Sequence, residues 1–385
     1  MLIIKILLRN AFRNKLRTGL TVLGIAIALL SFGLLRTVIH AWYSGVEASS
    51  ATRLVTRNAV SLIFPLPSSY RDRIRQINGV QTVSYGNWFG GIYIEEKNFF
   101  ANLAVEPKTY LELYPEYVLS PAEKEAFLKD RKGCIAGQKL AARFGWKIGD
   151  IVTLKGTIFP GQWEFVLRGI YQGKDKTTDE SQFYFHWDYL NETLKKTAPL
   201  RADQVGFYMV GVIRPDLAAE VSSAVDAAFK NSLAETLTET EKAFQQGFIA
   251  MSGAIVTAVQ VVSLVVIGII MAVVANTMAM TTRERIGEYA ILKTLGFRSG
   301  YIAGLIFGES LVISLIGCLL GNLATFPAAQ AFRNALGNFF PVFNVETQTL
   351  LLNLAAALTV AGVAAVIPTF QAIHIRIADG LRRVG

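Results

Sequence analysis

The chain has 385 residues, of which 52% are hydrophobic and 17% charged, and its mean hydropathy of +0.38 exceeds that of ordinary soluble domains. Its formal net charge of +9 is no sign of a nucleic-acid partner, because lysine and arginine crowd the segments that flank apolar stretches. Cys134 and Cys318 lie in unlike contexts, and the three histidines are far apart in sequence. We therefore expect a membrane protein with no disulfide, metal or cofactor.

The N-terminal residues 1–17 predict a basic amphipathic helix on the inner membrane surface. Its cations recur at roughly helical spacing: Lys5, Arg9, Arg13, Lys15 and Arg17. Residues 18–40 form the first predicted transmembrane helix, since an uncharged run with its flanks reaches the ~20 residues that cross a ~30 Å core. A cleaved signal peptide is the alternative. We favour an uncleaved anchor, because the weak A-S-S at 48–50 lies well past the apolar run.

Residues 41–242 predict an α+β extracytoplasmic domain, because their apolar residues come in short runs broken by glycine, proline and charges. Ser120, Pro121 and Glu123 form a capping box at the start of one helix. The predicted strands are Val60–Phe64, Val80–Glu95, Phe99–Val105, Ile151–Lys155, Glu164–Tyr171, Gln182–Phe185 and Gln204–Ile213. The predicted helices are Ser68–Ile77, Ser120–Lys129, Gln138–Phe144 and Pro215–Lys230.

The rest of the chain alternates apolar and basic segments. Forty uncharged residues, 243–282, would make a helix about twice the membrane thickness at ~1.5 Å per residue. Either the helix breaks near Gly247 or Gly253, or its start is a stalk; acidic residues just upstream favour a helix that is already running. The predicted segments are 243–277 (stalk and second transmembrane helix), 278–300 (cytoplasmic loop), 301–326 (third transmembrane helix, ending at Pro327), 327–349 (outer loop), 350–373 (fourth transmembrane helix) and 374–385 (cytoplasmic tail).

Orientation follows from the distribution of lysine and arginine. The N-terminal segment, the loop 278–300 and the tail carry five, four and three of them, and the short outer loop carries one. The positive-inside rule then places both termini in the cytoplasm, with four membrane helices and the large domain between the first and the second.

Sequence motifs of common enzymes are missing. The chain contains no G-x-x-x-x-G-K-[ST], no G-x-S-x-G and no H-E-x-x-H, and the acidic residues of the large domain are scattered among basic ones. We expect a non-catalytic chain.

The third predicted transmembrane helix carries Gly304-x-x-x-Gly308 and Gly317-x-x-x-Gly321. This spacing lets helix backbones approach closely, and it suits packing within the chain or between chains. Glu309 lies about two turns into the same helix, where a charge is costly. We favour an ion pair with Arg298 or Arg283 over a proton or substrate pathway.

The loop 278–300 contains the stretch TTRERIGEYAILKTLGF, whose apolar residues fall close to one helical face. Gly296 is placed like a helix C′ residue, where glycine takes left-handed geometry cheaply. An amphipathic helix between two transmembrane helices suits a docking site for a cytoplasmic partner, and the alternative is a helix that only lies on the bilayer.

The whole pattern resembles the MacB/FtsX/LolC-type permeases of ABC transporters, with a MacB-like periplasmic core domain and an FtsX-like four-span membrane domain. Further similarity lies in residues 8–28, in 140–156 and 165–171 of the large domain, and in the tail. Gly287-Glu288-Tyr289 departs from the family pattern, which more often has Glu-Ile there. The residues that match the family's loop motif are Thr282, Arg283, Arg285, Glu288, Lys293, Leu295 and Gly296.

The resemblance implies that these seven residues belong to a coupling helix docked on a separate ABC ATPase chain. It further implies a dimer of permease chains in the bacterial inner membrane, and mechanotransmission, in which ATP hydrolysis by the partner moves the periplasmic domain. Export of a periplasmic or envelope substrate with a periplasmic adaptor protein is the expected use. The alternatives are a lipoprotein-releasing or cell-wall-hydrolase-regulating complex, or a membrane sensor without an ATPase.

Overall fold

The computed structural model describes residues 2–175, 177–336 and 342–375. Most of the predicted tail and part of the predicted outer loop lie outside these residues. Contacts divide the chain into two compact units. The helical unit comprises the chain up to Ala41, Ser252–Leu336 and the chain from Phe343 onward, and the sheet unit is built from Trp42–Met251.

The sheet unit contains both helices and strands, whereas the elements in the described part of the helical unit are all helices. The helices are α1 Leu2–Ala11, α2 Lys15–Ala48, α3 Tyr70–Arg75, α4 Pro107–Leu113, α5 Pro121–Lys129, α6 Gln138–Phe144, α7 Trp187–Thr197, α8 Ala218–Ala228, α9 Glu241–Met251, α10 Gly253–Glu284, α11 Ile286–Thr294, α12 Ser299–Leu336 and α13 Thr347–Ile373. The strands are β1 Arg53–Asn58, β2 Leu66–Pro67, β3 Val80–Trp88, β4 Gly91–Ile92, β5 Asn102–Val105, β6 Tyr117–Val118, β7 Gly133–Gly137, β8 Ile151–Gly156, β9 Gly161–Gly173, β10 Phe183–His186, β11 Gln204–Val205, β12 Phe207–Val212 and β13 Thr236–Thr240.

Four helices of the described chain are long and apolar enough to cross a membrane: Lys15–Tyr43, Gly253–Glu284, Ser299–Arg333 and Thr347–Ile373. The four-helix membrane protein with a domain between the first helix and the others is therefore confirmed. The expected end of the third helix at Pro327 is wrong, because α12 continues through Pro327 to Leu336. Transmembrane helices tolerate proline where neighbouring groups satisfy the freed carbonyl, and the alanine-rich segment that follows favours helix.

The segment before the second transmembrane helix differs from the expected running helix. Residues 236–240 form the strand β13, and the helices α9 and α10 are separated at Ser252, beside Gly253. The sequence TLTET alternates threonine with other residues, and this pattern of β-branched side chains favours an extended strand over a helix.

A mixed sheet forms the centre of the sheet unit. Its strand order over the described residues is β13-β1-β12-β3-β5-β10-β7-β9-β8-β4, with β6 paired to the end of β9. The pairs β10/β5 and β7/β9 are parallel, and the other neighbours are antiparallel. Helices pack on this sheet around a core that includes Phe89, Phe165, Phe183 and Phe185. The predicted α+β class is confirmed.

Local signals predicted some elements well and others poorly. The capping box is confirmed, since the Glu123 N–H donates to the Ser120 hydroxyl (3.3 Å) and the Ser120 N–H donates to the Glu123 carboxylate (3.0 Å). The predicted strand Val60–Phe64 is wrong: strand β1 lies just before it, and Ile63 is 89% exposed. That run is apolar without alternation, so it lacks the period of a half-buried strand.

Candidate functional site

The segment that joins α10 to α12 is a short helix with a sharp turn at each end. Arg285 forms the first turn, and its N–H donates to the carbonyls of Thr281 and Thr282. At the other end Gly296 has a φ of +87°. The Phe297 N–H bonds to the Leu292 carbonyl (3.0 Å), which is the pattern of a Schellman cap. The predicted C′ position of Gly296 is thus confirmed.

A buried ion pair fixes the first turn to the third transmembrane helix. The Arg285 guanidinium lies 2.9 Å from the Glu309 carboxylate, and the two side chains are 10% and 5% exposed. The expected partners of Glu309 were Arg298 and Arg283. Arg298 precedes Glu309 by eleven residues, or about 16 Å of helix, and Arg283 is exposed. Arg285 instead sits where the chain turns between α10 and α11.

Glu288 extends this pair into a cluster. It accepts a hydrogen bond from Arg285 Nε (3.0 Å) and forms an ion pair with Arg13, which lies between α1 and α2. Burial opposes the charge of Glu288, but the hydrogen bonds from Arg13 and Arg285 outweigh it and lower its pKa. A second, exposed pair joins Arg17 of α2 to Glu284 through bonds of 2.6 and 2.8 Å.

The other end of α11 is tied to the last transmembrane helix. The Lys293 ammonium donates to the carbonyls of Ile373 (2.7 Å) and Ile375 (3.1 Å), at the C-terminus of α13. A cation at this place satisfies carbonyls that lack helical partners and complements the helix dipole. Together with the ion-pair cluster, Lys293 connects α11 to the turn between α1 and α2, to α12 and to α13.

The seven residues of the loop motif therefore fall into two groups. Thr282 and Arg285 are buried, and Glu288 and Lys293 are partly buried and engaged within the chain. The exposed members are Arg283, Leu295 and Gly296.

Leu295 belongs to an exposed apolar surface at the end of α11. Leu295 is 70% exposed, and beside it in sequence are exposed Ile291, Phe297 and Tyr301, with the last two rings 4.9 Å apart. We call these four residues the apolar cap. Phe297 and Tyr301 were not among the predicted site residues, because they follow Gly296 and fall outside the helical period. The sequence signal that could have found them is a pair of aromatic residues on either side of Arg298, at the start of the third membrane helix.

The glycines of the third transmembrane helix pack mainly within the chain. A Cβ added at Gly308 would lie 2.8 Å from Leu7 of α1, and one at Gly317 would lie 2.6 Å from Ile25 of α2. At Gly321 the nearest atom would be the Ala26 carbonyl oxygen, at 2.8 Å. Gly304 has no described atom within 4 Å of its added Cβ. The first three glycines thus allow α12 to approach α1 and α2 closely.

Two family descriptions match the chain. The MacB-like periplasmic core domain matches residues 18–228, and the FtsX-like permease C-terminal matches residues 260–377. An uncharacterized ABC transporter permease of Methanocaldococcus jannaschii is 25% identical over 342 residues, covering 83% of this chain and 81% of that protein. An uncharacterized ABC transporter permease protein of Mycobacterium tuberculosis is 24% identical over 279 residues, covering 68% of this chain but 30% of that longer protein.

Two of the solved structures to which the chain is similar are an extracellular domain and a periplasmic region. The extracellular domain of the ABC-type transporter YknZ from Gram-positive bacteria has a TM-score of 0.36 at 11% identity, and covers 49% of this chain and 100% of that one. The periplasmic region of MacB from Actinobacillus actinomycetemcomitans has a TM-score of 0.38 at 9% identity, and covers 53% of this chain and 95% of that one.

Proposed function

Since the chain belongs to the MacB/FtsX family of ABC transporter permeases, we propose that it couples ATP hydrolysis on a separate ATPase chain to movement of its extracytoplasmic domain. The observation that carries this proposal is the arrangement of α11. Arg285 and Glu288 bond the start of this helix to α12 and to the turn between α1 and α2, and Lys293 bonds its end to α13, while the apolar cap is exposed. A helix held in this way passes a push on its apolar cap to the membrane helices.

The ATPase docks on the apolar cap rather than on the basic residues of the loop motif. An exposed cluster of two aromatic and two aliphatic side chains beside Arg298 has the composition of an interface centre. Arg285 and Lys293 have the different task of holding α11 to α12 and α13. Reversing their charges would therefore disturb the helical unit, and a loss of ATPase binding in such a variant would not identify the contact surface.

The working unit contains two permease chains and two ATPase chains in the inner membrane of a bacterium. Both termini and the apolar cap face the cytoplasm, and the sheet unit faces the periplasm. The clustering of lysine and arginine in the N-terminal segment, the 278–300 loop and the tail supports this orientation. The cargo is a periplasmic or envelope molecule that the complex exports with the help of an adaptor protein.

Docking on the apolar cap predicts that the double substitution Leu295→Asp and Phe297→Asp weakens ATPase binding roughly 30-fold or more, since loss of interface anchors costs about 2 kcal/mol or more. The tagged chain is purified in mild detergent, and the ABC-type ATPase is quantified by mass spectrometry and vanadate-sensitive hydrolysis. The control is Ile148→Asp, an exposed apolar residue of the sheet unit.

Two results would contradict the docking proposal. Undiminished ATPase binding by the double variant would remove the apolar cap as the contact surface. If no ATPase co-purifies with the unchanged chain, either with or without crosslinking, the result would instead support a membrane sensor.

The proposed orientation predicts opposite labelling of two single-cysteine positions. In intact cells stripped of any outer wall, a membrane-impermeant maleimide should label Ile148→Cys, and it should label Thr294→Cys only after permeabilisation. Both positions are exposed, and the native Cys134 and Cys318 are buried, so the background is low. Labelling of Thr294→Cys in intact cells would reverse the orientation.

A further inference from the structure

The sheet unit contains a buried carboxylate that joins its first and last segments. Glu241 opens α9, and its carboxylate accepts hydrogen bonds from the Ser50 N–H (2.9 Å), Arg53 Nε (2.8 Å) and the Tyr114 hydroxyl (3.0 Å). Ser50 follows α2, and Arg53 begins β1. We call these four residues the Glu241 clamp. It lies where the chain enters the sheet unit and where it leaves.

Arg53 is the charged partner in the clamp. Its guanidinium also lies 2.8 Å from Glu116 and 4.2 Å from the centre of the Tyr114 ring. Burial works against the charge of Arg53, but Glu241, Tyr114 and Glu116 outweigh it and raise its pKa above the ordinary value. Arg53 therefore stays charged, and movement of either segment meets the resistance of a buried, hydrogen-bonded ion pair.

A group of contacting tyrosines begins at the clamp. The Tyr114 ring stacks on Tyr110 and Tyr117, with ring centres 4.5 and 5.3 Å apart. The Tyr117 and Tyr184 hydroxyls are 2.9 Å apart, and Tyr171 packs 4.7 Å from Tyr117. Burial raises the pKa of Tyr114 and Tyr184 well above the ordinary value, so both hydroxyls stay protonated. We call these five residues the tyrosine stack.

The tyrosine stack ends at a polar, mostly half-buried turn before β10. The Tyr171 hydroxyl donates to the Asp179 carbonyl (2.8 Å), and the Tyr184 hydroxyl hydrogen-bonds to the Gln182 side chain. Gln182 in turn donates to the Asp179 carboxylate (2.9 Å). The turn Thr177–Gln182 is therefore connected through hydroxyls and stacked rings to the clamp.

We propose that the Glu241 clamp and the tyrosine stack form a relay that passes movement of the segments at Ser50–Arg53 and α9 to the turn Thr177–Gln182. The relay depends on the proposed function only for the source of that movement. Aromatic packing alone would fill a core without polar contacts. Here the Tyr114 hydroxyl donates to Glu241 of the clamp, and the Tyr171 and Tyr184 hydroxyls bond to the turn. A shift of either end therefore breaks a hydrogen bond that is buried at the clamp and partly buried at the turn.

The relay is tested by hydrogen–deuterium exchange on the full chain in nanodiscs. Glu241→Gln should speed exchange of the amides of Thr177–Gln182 about threefold or more, because local opening no longer has to break the charged clamp. The matched control is Glu239→Gln, which removes the neighbouring ion pair with Arg57 (3.1 Å) but does not touch the stack. It should leave exchange in the turn unchanged.

Repeating the Glu241→Gln substitution in a chain that also carries Tyr184→Phe distinguishes a relay from general loosening of the sheet unit. Tyr184→Phe removes the hydroxyl that bonds Tyr117 and Gln182 and keeps the ring. In this background Glu241→Gln should still speed exchange near Ser50, but should change exchange in the turn by less than half as much. The relay would be overturned if Glu241→Gln changed exchange in the turn equally with and without Tyr184→Phe, if Glu239→Gln changed it as much as Glu241→Gln does, or if Glu241→Gln did not change it at all.

Two features keep the test decisive. If Glu241→Gln does not fold, Tyr114→Phe replaces it, since that change deletes only the hydroxyl bonded to Glu241. The exchange measurement needs no ATPase. Failure of the relay therefore leaves the docking result untouched, and failure of the docking result leaves the exchange result valid.

Discussion

Replacing Glu309 with alanine is expected to destabilise the helical unit by about 3–5 kcal/mol, because it leaves Arg285 buried without its charged partner. Glu284→Ala is the matched control. Its pair with Arg17 is exposed, so its loss should cost far less than the loss of the buried pair. Removing both buried charges, with Arg285→Met and Glu309→Leu, should restore most of the lost stability, since no unpaired charge then remains.

Stability of the helical unit can be followed through Cys318, which is buried in that unit. In a Cys134→Ala background, reaction of Cys318 with a thiol-reactive dye during heating reports the opening of the helical unit. The chain with both Arg285→Met and Glu309→Leu should keep its ATPase binding, since neither substitution touches the apolar cap. A loss in Glu309→Ala no larger than that in Glu284→Ala would show that the buried pair does not stabilise the helices.

Gly321→Leu should destabilise the packing of α12 on α2 by about 3 kcal/mol, at the upper end of overpacking costs. The added Cβ would meet the Ala26 carbonyl oxygen at 2.8 Å and Leu29 Cβ at 3.2 Å, and neither atom can swing away. Gly304→Leu is the control on the same helix. With no described atom within 4 Å of its added Cβ, it should lose less than about 1 kcal/mol.

The same Cys318 assay measures both glycine variants. Equal losses at Gly321 and Gly304 would mean that the glycines act through something other than packing on α2. A change in permease–permease association for Gly304→Leu alone would assign that glycine to a contact between chains.

Features that depend on neighbouring residues in sequence were predictable here. The capping box at Ser120, the end of α6 at Gly145 and the C′ role of Gly296 each follow from a residue type and a local backbone need. The four transmembrane helices follow from length and hydropathy in the same way.

Features that depend on distant residues were not predictable. Arg285 and Arg298 are both arginines of one charged segment, and the sequence does not distinguish the one that faces Glu309 from the exposed one. That difference arises from the turn at Arg285 and from the packing of α12, which brings together groups 24 residues apart. The strand β13 was missed for the same reason. Its short polar sequence becomes a strand through pairing with β1, nearly two hundred residues earlier in the chain.

The antiparallel pairing of β1 with β13 places Leu54 opposite Thr240. The inserted domain therefore starts and finishes on neighbouring strands, about 5 Å apart. A host protein needs to be interrupted at only one point to accept a domain of this kind, and it can lose or exchange the domain without rerouting its own backbone. The membrane helices and the inserted domain are thus able to diverge separately.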